Sequence, residues 1–538
     1  MDMAAEAQPW LPTPGSRLAE LVNSNQEPAE ADLLPVAQVI AALDARLAPV
    51  QTEISQLESR LANLRAQESV LADYRAKFRV TVSPLRRLPA EVLGEIFEWT
   101  LPVYAAAGNE YATYCDFSLG LSPWVLMRVC ARWRAVAIAT PVLWAPVVLI
   151  FSSDEQLRRY PMPLLQTHLD RASQLEVSFW GSEKVDVEAQ LPALQLLIDH
   201  AHKWTELAIV LTPALFPMFS ALRGDQLPAL RRVNLTWHDE EGVFDVPADG
   251  GPASPLPLRT FETAPVLTEI GISLRKCFVP TPLPASNLTW YCLDAPWDVH
   301  RTLLAETVHL EAAHITVDFD SDVEWPERNA EDVVCLTRIR RLYVSHPEIL
   351  EYISTPALQE VAFRTDGDDL EFIGSLVRLI ACCFCSISSI CLNGSPTLVG
   401  VTTILDFAEV LCPETVRLAF NVSEIDWEEV KRILQCFADP MSKRNGHGIR
   451  ALALLFDKKN RLDYELLMKM FRAREREAAE GCVLRQVHLI VENPPKKWTA
   501  SELATFHEFL AQDKELDVVY CEAGREFAEA LDDWIFFL

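Results

Sequence analysis

Between Val36 and Leu71 apolar residues recur at alternating three- and four-residue steps: Val36, Ile40, Leu43, Leu47, Val50, Ile54, Leu57, Leu61, Leu64 and Leu71. Such a seven-residue repeat winds an apolar stripe along one side of a helix, the seam of a coiled coil. Glu68 is its one polar interruption, and Pro49 removes a backbone donor, which predicts a kink or a break there. A second copy could cover the seam, or the chain's own remainder could, and the pattern leaves both open. Residues 35–80 are thus expected to form a coiled-coil helix. Residues 1–34, rich in Ala, Glu and Pro, are expected to be disordered.

The period changes after Ser83. Pro89 suits the first turn of a helix, and Ala90 to Leu101 carries an apolar face of Val92, Leu93, Ile96 and Phe97 before Pro102 stops it. Val103 to Leu121 has no clean period and is expected to be a loop. A second helix is expected from Pro123 to Ala139 with Leu126, Val129, Cys130 and Trp133 on one face. Pro141 ends it, and Leu143 and Trp144 follow. Residues 83–144 therefore predict a small helical domain.

From residue 145 to 538 a triplet recurs: an apolar residue, then apolar residues three and five positions on. Examples are Trp204, Leu207, Ile209; Leu230, Val233, Leu235; Leu267, Ile270, Ile272; and Leu288, Tyr291, Leu293. Others are Ile339, Leu342, Val344; Leu358, Val361, Phe363; Ile387, Ile390, Leu392; Ile449, Leu452, Leu454; and Leu484, Val487, Leu489, with weaker copies near Leu175, Leu310, Val416 and Leu516. The last two members of each triplet are two residues apart, so they share one face of a short strand. One such unit cannot bury its apolar face alone; stacked units form a continuous parallel sheet backed by helices. Helical connectors are expected at Leu191–Ala201, Leu370–Cys383, Thr403–Leu411, Trp427–Phe437, Tyr464–Glu480 and Ser501–Gln512, with surface loops at His238–Leu258 and Asp439–Gly448. The expected fold is α/β, an irregular solenoid.

Composition narrows the function. The net charge of −28 argues against nucleic acid and against an anionic membrane surface. Met1 to Pro14 has no apolar core for a signal peptide, and Leu376 to Leu392 is too interrupted for a membrane span. Thirteen irregularly spaced cysteines without an export signal are expected to stay reduced, in cytoplasm or nucleus. Cys382, Cys383 and Cys385 lack a second ligand pair at zinc spacing, and His309, Glu311 and His314 miss the H-E-x-x-H order, so no metal is expected. His200 and His202 carry only the expectation of surface histidines. No phosphate-binding glycine loop or nucleophile elbow occurs, so neither a cofactor nor an enzyme activity is expected.

"LRRLPAEVLGEIFEWTLP" (Leu85 to Pro102) followed by "SPWVLMRVCARWRAVAIATPVLW" (Ser122 to Trp144) resembles an F-box, and is most similar to the F-box-like proteins abundant in mushroom-forming fungi. The heptad helix and the entry Ser83, Pro84, Arg86, Leu88, Pro89 belong to that resemblance, which covers about a fifth of the chain; the triplets resemble leucine-rich repeats loosely. The resemblance implies a substrate-recruiting subunit of a ubiquitin ligase that binds the Skp adaptor and through it the cullin-RING scaffold. The implied adaptor surface comprises Leu88, Pro89, Glu91, Leu93, Ile96 and Phe97, and then Val129, Cys130, Trp133, Leu143 and Trp144. A target protein would meet the strand face opposite the core, where Arg232, Asn234, Trp290, Arg341, Tyr343, Glu360 and Arg364 point. Towards the C-terminus those outward positions turn apolar (Ala451, Ala453, Leu455, Ile490), which would make either a hydrophobic target site or a surface covered by a final helix, Phe527–Leu538. A structural interaction protein that uses coiled coil and repeats without a ligase is the other expectation.

Overall fold

The computed structural model describes residues 13, 15–101, 120–151, 161–237, 257–273, 278–317, 325–326, 333–365, 369–394, 396–410, 417–421, 427–438, 451–456, 486–491 and 517–522. The chain divides into two compact units, Met1–Leu93 and Gly94–Leu538. Most of Val103–Leu121 and His238–Leu258, all of Asp439–Gly448, and the expected helices Tyr464–Glu480, Ser501–Gln512 and Phe527–Leu538 lie outside the described residues.

In the first unit, part of the stretch expected to be disordered is helical. Helix α1 (Arg17–Val22) is capped by the Ser16 side chain, which accepts from Ala19 N, and α2 (Glu30–Thr81) begins before the expected boundary. Arg17 pairs with Asp32 at 3.5 Å and joins the two. Pro49 does not break α2, which runs as one 52-residue helix through both Pro35 and Pro49. Each proline removes one hydrogen bond on a helix exposed along most of its length, where water can satisfy the freed carbonyl.

The next elements differ from expectation at their ends. Helix α3 (Ala90–Glu98) stops before Trp99, where Thr100 N bonds back to Phe97 O and Leu101 N to Glu98 O. The single helix expected from Pro123 is broken. A 3-10 turn at Leu126–Arg128 comes first, then Cys130 turns extended (φ −161°, ψ 171°) and caps α4 (Ala131–Ala139), its sulfur accepting from Trp133 N at 3.4 Å. A 3-10 turn, Pro141–Trp144, leads into the sheet.

The remainder is α/β: among the described residues, fourteen parallel strands whose order in the sheet follows their order in the chain. They are β1 (Pro146–Ile150), β2 (Leu175–Trp180), β3 (Trp204–Leu211), β4 (Arg232–Trp237), β5 (Glu269–Ser273), β6 (Trp290–Asp294), β7 (Ala312–Thr316), β9 (Arg341–Val344), β11 (Glu360–Thr365), β12 (Ser389–Gly394), β13 (Arg417–Asn421), β14 (Ala451–Phe456), β15 (Gln486–Val491) and β16 (Asp517–Glu522). Two short strands, β8 (Val334–Cys335) and β10 (Ile353–Ser354), pair with each other.

The sequence triplets become columns. Val177, Leu207, Val233, Ile270 and Tyr291 stand in register, as do Phe179, Ile209, Leu235, Ile272 and Leu293 two residues on, and all are buried. The first members of the triplets, Trp204, Leu230, Leu267, Leu288, Ile339, Leu358 and Ile387, are fully buried where the connectors turn back onto the core. Helices cover this face: Phe372 on α9 (Asp369–Cys383) stacks on Phe363 of β11 at 4.8 Å. The connectors α6 (Val187–Asp199), α10 (Leu398–Val410) and α11 (Trp427–Ala438) fall near the expected positions, whereas α5 (Met162–Arg171), α7 (Phe216–Ser220) and α8 (Trp297–Glu306) were not anticipated.

Candidate functional site

The two candidate surfaces are helical and strand-borne. On the helical one, Leu88 is half-buried, Pro89 and Glu91 are exposed, and Leu93 is fully buried. Within the second unit Ile96 is 40% exposed, whereas Phe97 is buried and its ring lies 4.9 Å from that of Trp133. Leu143 and Trp144 are fully buried, while Val129 and Cys130 are exposed. Of the implied residues, Leu93 in the first unit and Phe97, Leu143 and Trp144 in the second are buried, Leu88 and Trp133 are half-buried, and Pro89 and Glu91 in the first unit and Ile96, Val129 and Cys130 in the second are exposed. Gly94 lets α3 approach the end of α4 closely: a Cβ there would sit 3.3 Å from Thr140 Oγ1. Trp99, 90% exposed, is the most solvent-facing large apolar residue of this segment and was not singled out in the sequence. Its signal was its place just past the last turn of an amphipathic helix. Thr100 Oγ1 stands 3.0 Å from Ser122 Oγ, so the chain leaves and re-enters 102–119 at one place.

An aromatic stack fastens this segment to the first repeat. Trp144 Nε1 donates to Ala137 O at 2.8 Å, fixing the indole. Trp124 meets it edge-on at 5.3 Å and His168 of α5 at 5.1 Å. Arg171 lies over Trp144 at 4.6 Å and donates to Met127 Sδ at 3.2 Å. Cation–π and ring contacts of this kind add about 0.5–1.5 kcal/mol each beyond burial, so α4 and α5 form one mechanical piece. Burial holds His168 down to about 4, against backbone hydrogen bonds near Pro146 and Trp144 that oppose it.

On the strand face opposite the core, register sets the geometry. Glu176, Glu206, Arg232, Glu269, Trp290, Ala312, Arg341 and Glu360 stand in one row across β2 to β11. Four of the predicted residues, Arg232, Trp290, Arg341 and Glu360, share that row. Asn234 and Tyr343 lie one pleat further on, and Arg364 two. Strand spacing of about 4.8 Å puts β4 and β11 roughly 24 Å apart. Arg232 is already engaged: its Nε donates to Glu269 at 2.6 Å and its Nη1 approaches Glu206 at 3.4 Å. The bond to Glu269 raises its pKa, while burial and neighbouring Glu206 raise that of Glu176. Glu176, Glu206 and Glu269 were missed, although Glu206 and Glu269 sit at the same two-residue offset from the triplet start that marked Arg232. Trp290 lies across Gly271, where a Cβ would come within 3.3 Å of the indole, and reaches toward Asn234. Tyr343, expected to point outward, is buried against the His314 ring at 3.8 Å, and Arg341 and Arg364 are exposed.

Several further polar side chains of the second unit hold partners of their own. Tyr291 Oη donates to His300 Nδ1 at 2.7 Å, and His300 Nε2 donates to Thr316 O at 2.9 Å, which fixes a neutral imidazole; burial holds it down to about 4. Asp369 accepts from Thr397 N and Oγ1 at the start of α10. Cys383 sulfur accepts from Thr355 N. His200 contacts Asp170 at 3.2 Å, and His309 contacts Arg338 at 3.0 Å. Among the described residues no group of three or more His, Cys, Asp or Glu is placed to hold a metal. By length and composition α2 contains a stretch apolar enough to cross a membrane. No protein-family model matches the chain, and no curated protein matches it.

Proposed function

We propose that this chain is the substrate-recruiting subunit of a Skp–cullin–F-box ubiquitin ligase, acting in cytoplasm or nucleus. Its F-box binds the Skp adaptor, and an irregular leucine-rich-repeat-like solenoid holds the target. The observation that carries the reading is the division of the F-box-like residues into a buried set, Leu93, Phe97, Leu143 and Trp144, and an outward set, Pro89, Glu91, Ile96, Val129 and Cys130. A docking domain needs both: a core that holds its helices and apolar side chains left uncovered for a partner. The solenoid reading is supported by the buried triplets of β3 to β7, β9, β11 and β12 and by strand order that follows chain order. Ubiquitin would come from a conjugating enzyme on the RING subunit, so the chain supplies position and no nucleophile.

Affinity capture of the Skp adaptor by the full chain tests this. Capture is expected for the wild type and is expected to fall at least tenfold for Ile96→Asp combined with Val129→Asp. Phe97 serves poorly for this test, because its burial would confuse lost binding with lost folding. No capture by the wild type, alongside a control F-box protein that binds, would sink the proposal.

A further inference from the structure

The seam of α2 carries an orientation as well as an affinity. Ile40, Leu47, Ile54, Leu57, Leu61 and Leu64 are each 48–59% exposed on a continuous 52-residue helix. With Ile40 at heptad position a, Leu47, Ile54 and Leu61 take the following a positions and Leu43, Val50, Leu57 and Leu64 the d positions. Glu68 and Arg75 then occupy the last two a positions, and Pro35 and Pro49 both fall at c, away from the seam.

The flanking charges choose between arrangements. In a parallel, in-register pair a g residue faces the partner's e residue five positions on. Glu53 would face the partner's Glu58 and Arg60 the partner's Arg65, and Glu68 and Arg75 would each meet their own copies across the axis. Every one of these contacts joins like charges. In an antiparallel pair g faces g and e faces e. Centring the pair between Ser55 and Gln56, the middle of α2, sets Glu53 against the partner's Arg60, Asp44 against the partner's Arg65 and Glu30 against the partner's Arg79. No flanking pair of like charge remains, and Ile54 packs on the partner's Leu57 and Leu47 on the partner's Leu64. A one-heptad slip either way restores repulsion, Arg46 on Arg60 in one direction and Glu58 on itself in the other. The register that pairs the charges is therefore also the one that overlaps the whole helix.

We infer that α2 joins two copies of this chain as an antiparallel coiled coil centred between Ser55 and Gln56. Its rise of about 1.5 Å per residue holds the two Thr81 ends roughly 78 Å apart. Two copies joined in this way are bivalent, whatever each copy binds.

Sedimentation equilibrium of the full chain, at low micromolar concentration and low salt, is expected to give twice the 60.5 kDa chain mass, with Leu57→Asp returning it to one chain. The decisive variant is Glu53→Arg, on the exposed flank. In the antiparallel pair it turns two attractions into two repulsions and weakens association by about tenfold, and adding Arg60→Glu restores it. Tighter association of Glu53→Arg would mean a parallel pair and overturn the inference. So would a single-chain mass for the wild type, or a single-chain mass together with co-flotation on phosphatidylcholine vesicles, which would make α2 a membrane helix. A single-chain protein that still captures the Skp adaptor would remove the dimer and leave the proposed function standing.

Discussion

Asn234 and Leu235 are neighbours on one strand, and the two faces they belong to obey different rules. On Leu235's side the row Phe179, Ile209, Leu235, Ile272, Leu293 repeats one chemistry from strand to strand. On Asn234's side the rows change at each step: Glu206, Arg232, Glu269, Trp290 in one, and Ala208, Asn234, Gly271, Cys292 in the next. Buried aliphatic rows are interchangeable because packing asks only for volume and apolarity. The open rows have no such constraint, so their differences are where a particular partner can be told from others.

That contrast can be broken directly. Leu235→Ala should destabilise the protein by about 2–5 kcal/mol, whereas Asn234→Ala should stay within about 1 kcal/mol; urea unfolding of the two variants side by side measures the difference. Near-equal effects would mean that the faces are not distinct.

Acid should attack the core side next. His168 and His300 are buried and held down to about 4, so the folded chain resists a proton that the unfolded chain accepts from 6.5 downward. Stability therefore falls as pH drops from about 6.5 to about 4. The gap between those values corresponds to about 3 kcal/mol for each histidine. Unfolding midpoints at pH 7 and pH 5 are the measurement. A His300→Gln variant should start less stable at pH 7 and lose less between the two, and an identical pH slope would rule His300 out.

A smaller effect is expected at the helix layer. A Cβ on Gly400 would collide with the Asp369 carboxylate, so Gly400→Ala should cost about 1–3 kcal/mol by displacing the cap of α10. Calorimetric Tm is the readout. The smallest belongs to the open face. Arg232 and its partners are about half exposed, so Arg232→Ala should change stability by less than about 1 kcal/mol, shrinking further with salt. Target capture, once a target is known, should nevertheless respond to it.

What was legible in the sequence follows from these same rules. The strand triplets could be read because period-2 spacing and full burial leave only aliphatic and aromatic residues at their positions, as Leu230, Val233 and Leu235 show. Helix α8 could not, because its buried stripe, Trp297, His300 and Leu304, contains a histidine that only the Tyr291 hydroxyl and Thr316 carbonyl make tolerable. The break at Cys130 escaped notice because cysteine is an unusual helix cap. The burial of Tyr343 depends on His314 of the preceding strand of the sheet, information that no local pattern holds. The candidate site was legible as residue types at offsets. It was not legible as a network, and Arg232 had its carboxylates chosen by register.

Among the described residues, the strands of the large sheet pair in the order in which they occur along the chain, with only the short β8 and β10 set aside in a pair of their own. Few bonds in the large sheet must wait for a distant piece of chain. At ribosomal speeds of about 5–20 residues per second, β1 to β3 would have tens of seconds to assemble before β14 is synthesised. A truncated or stalled product would keep its upstream layers and expose one new edge. For this architecture quality control is a matter of the last layer finished, and the unpaired backbone of that layer is what a surveillance chaperone would read.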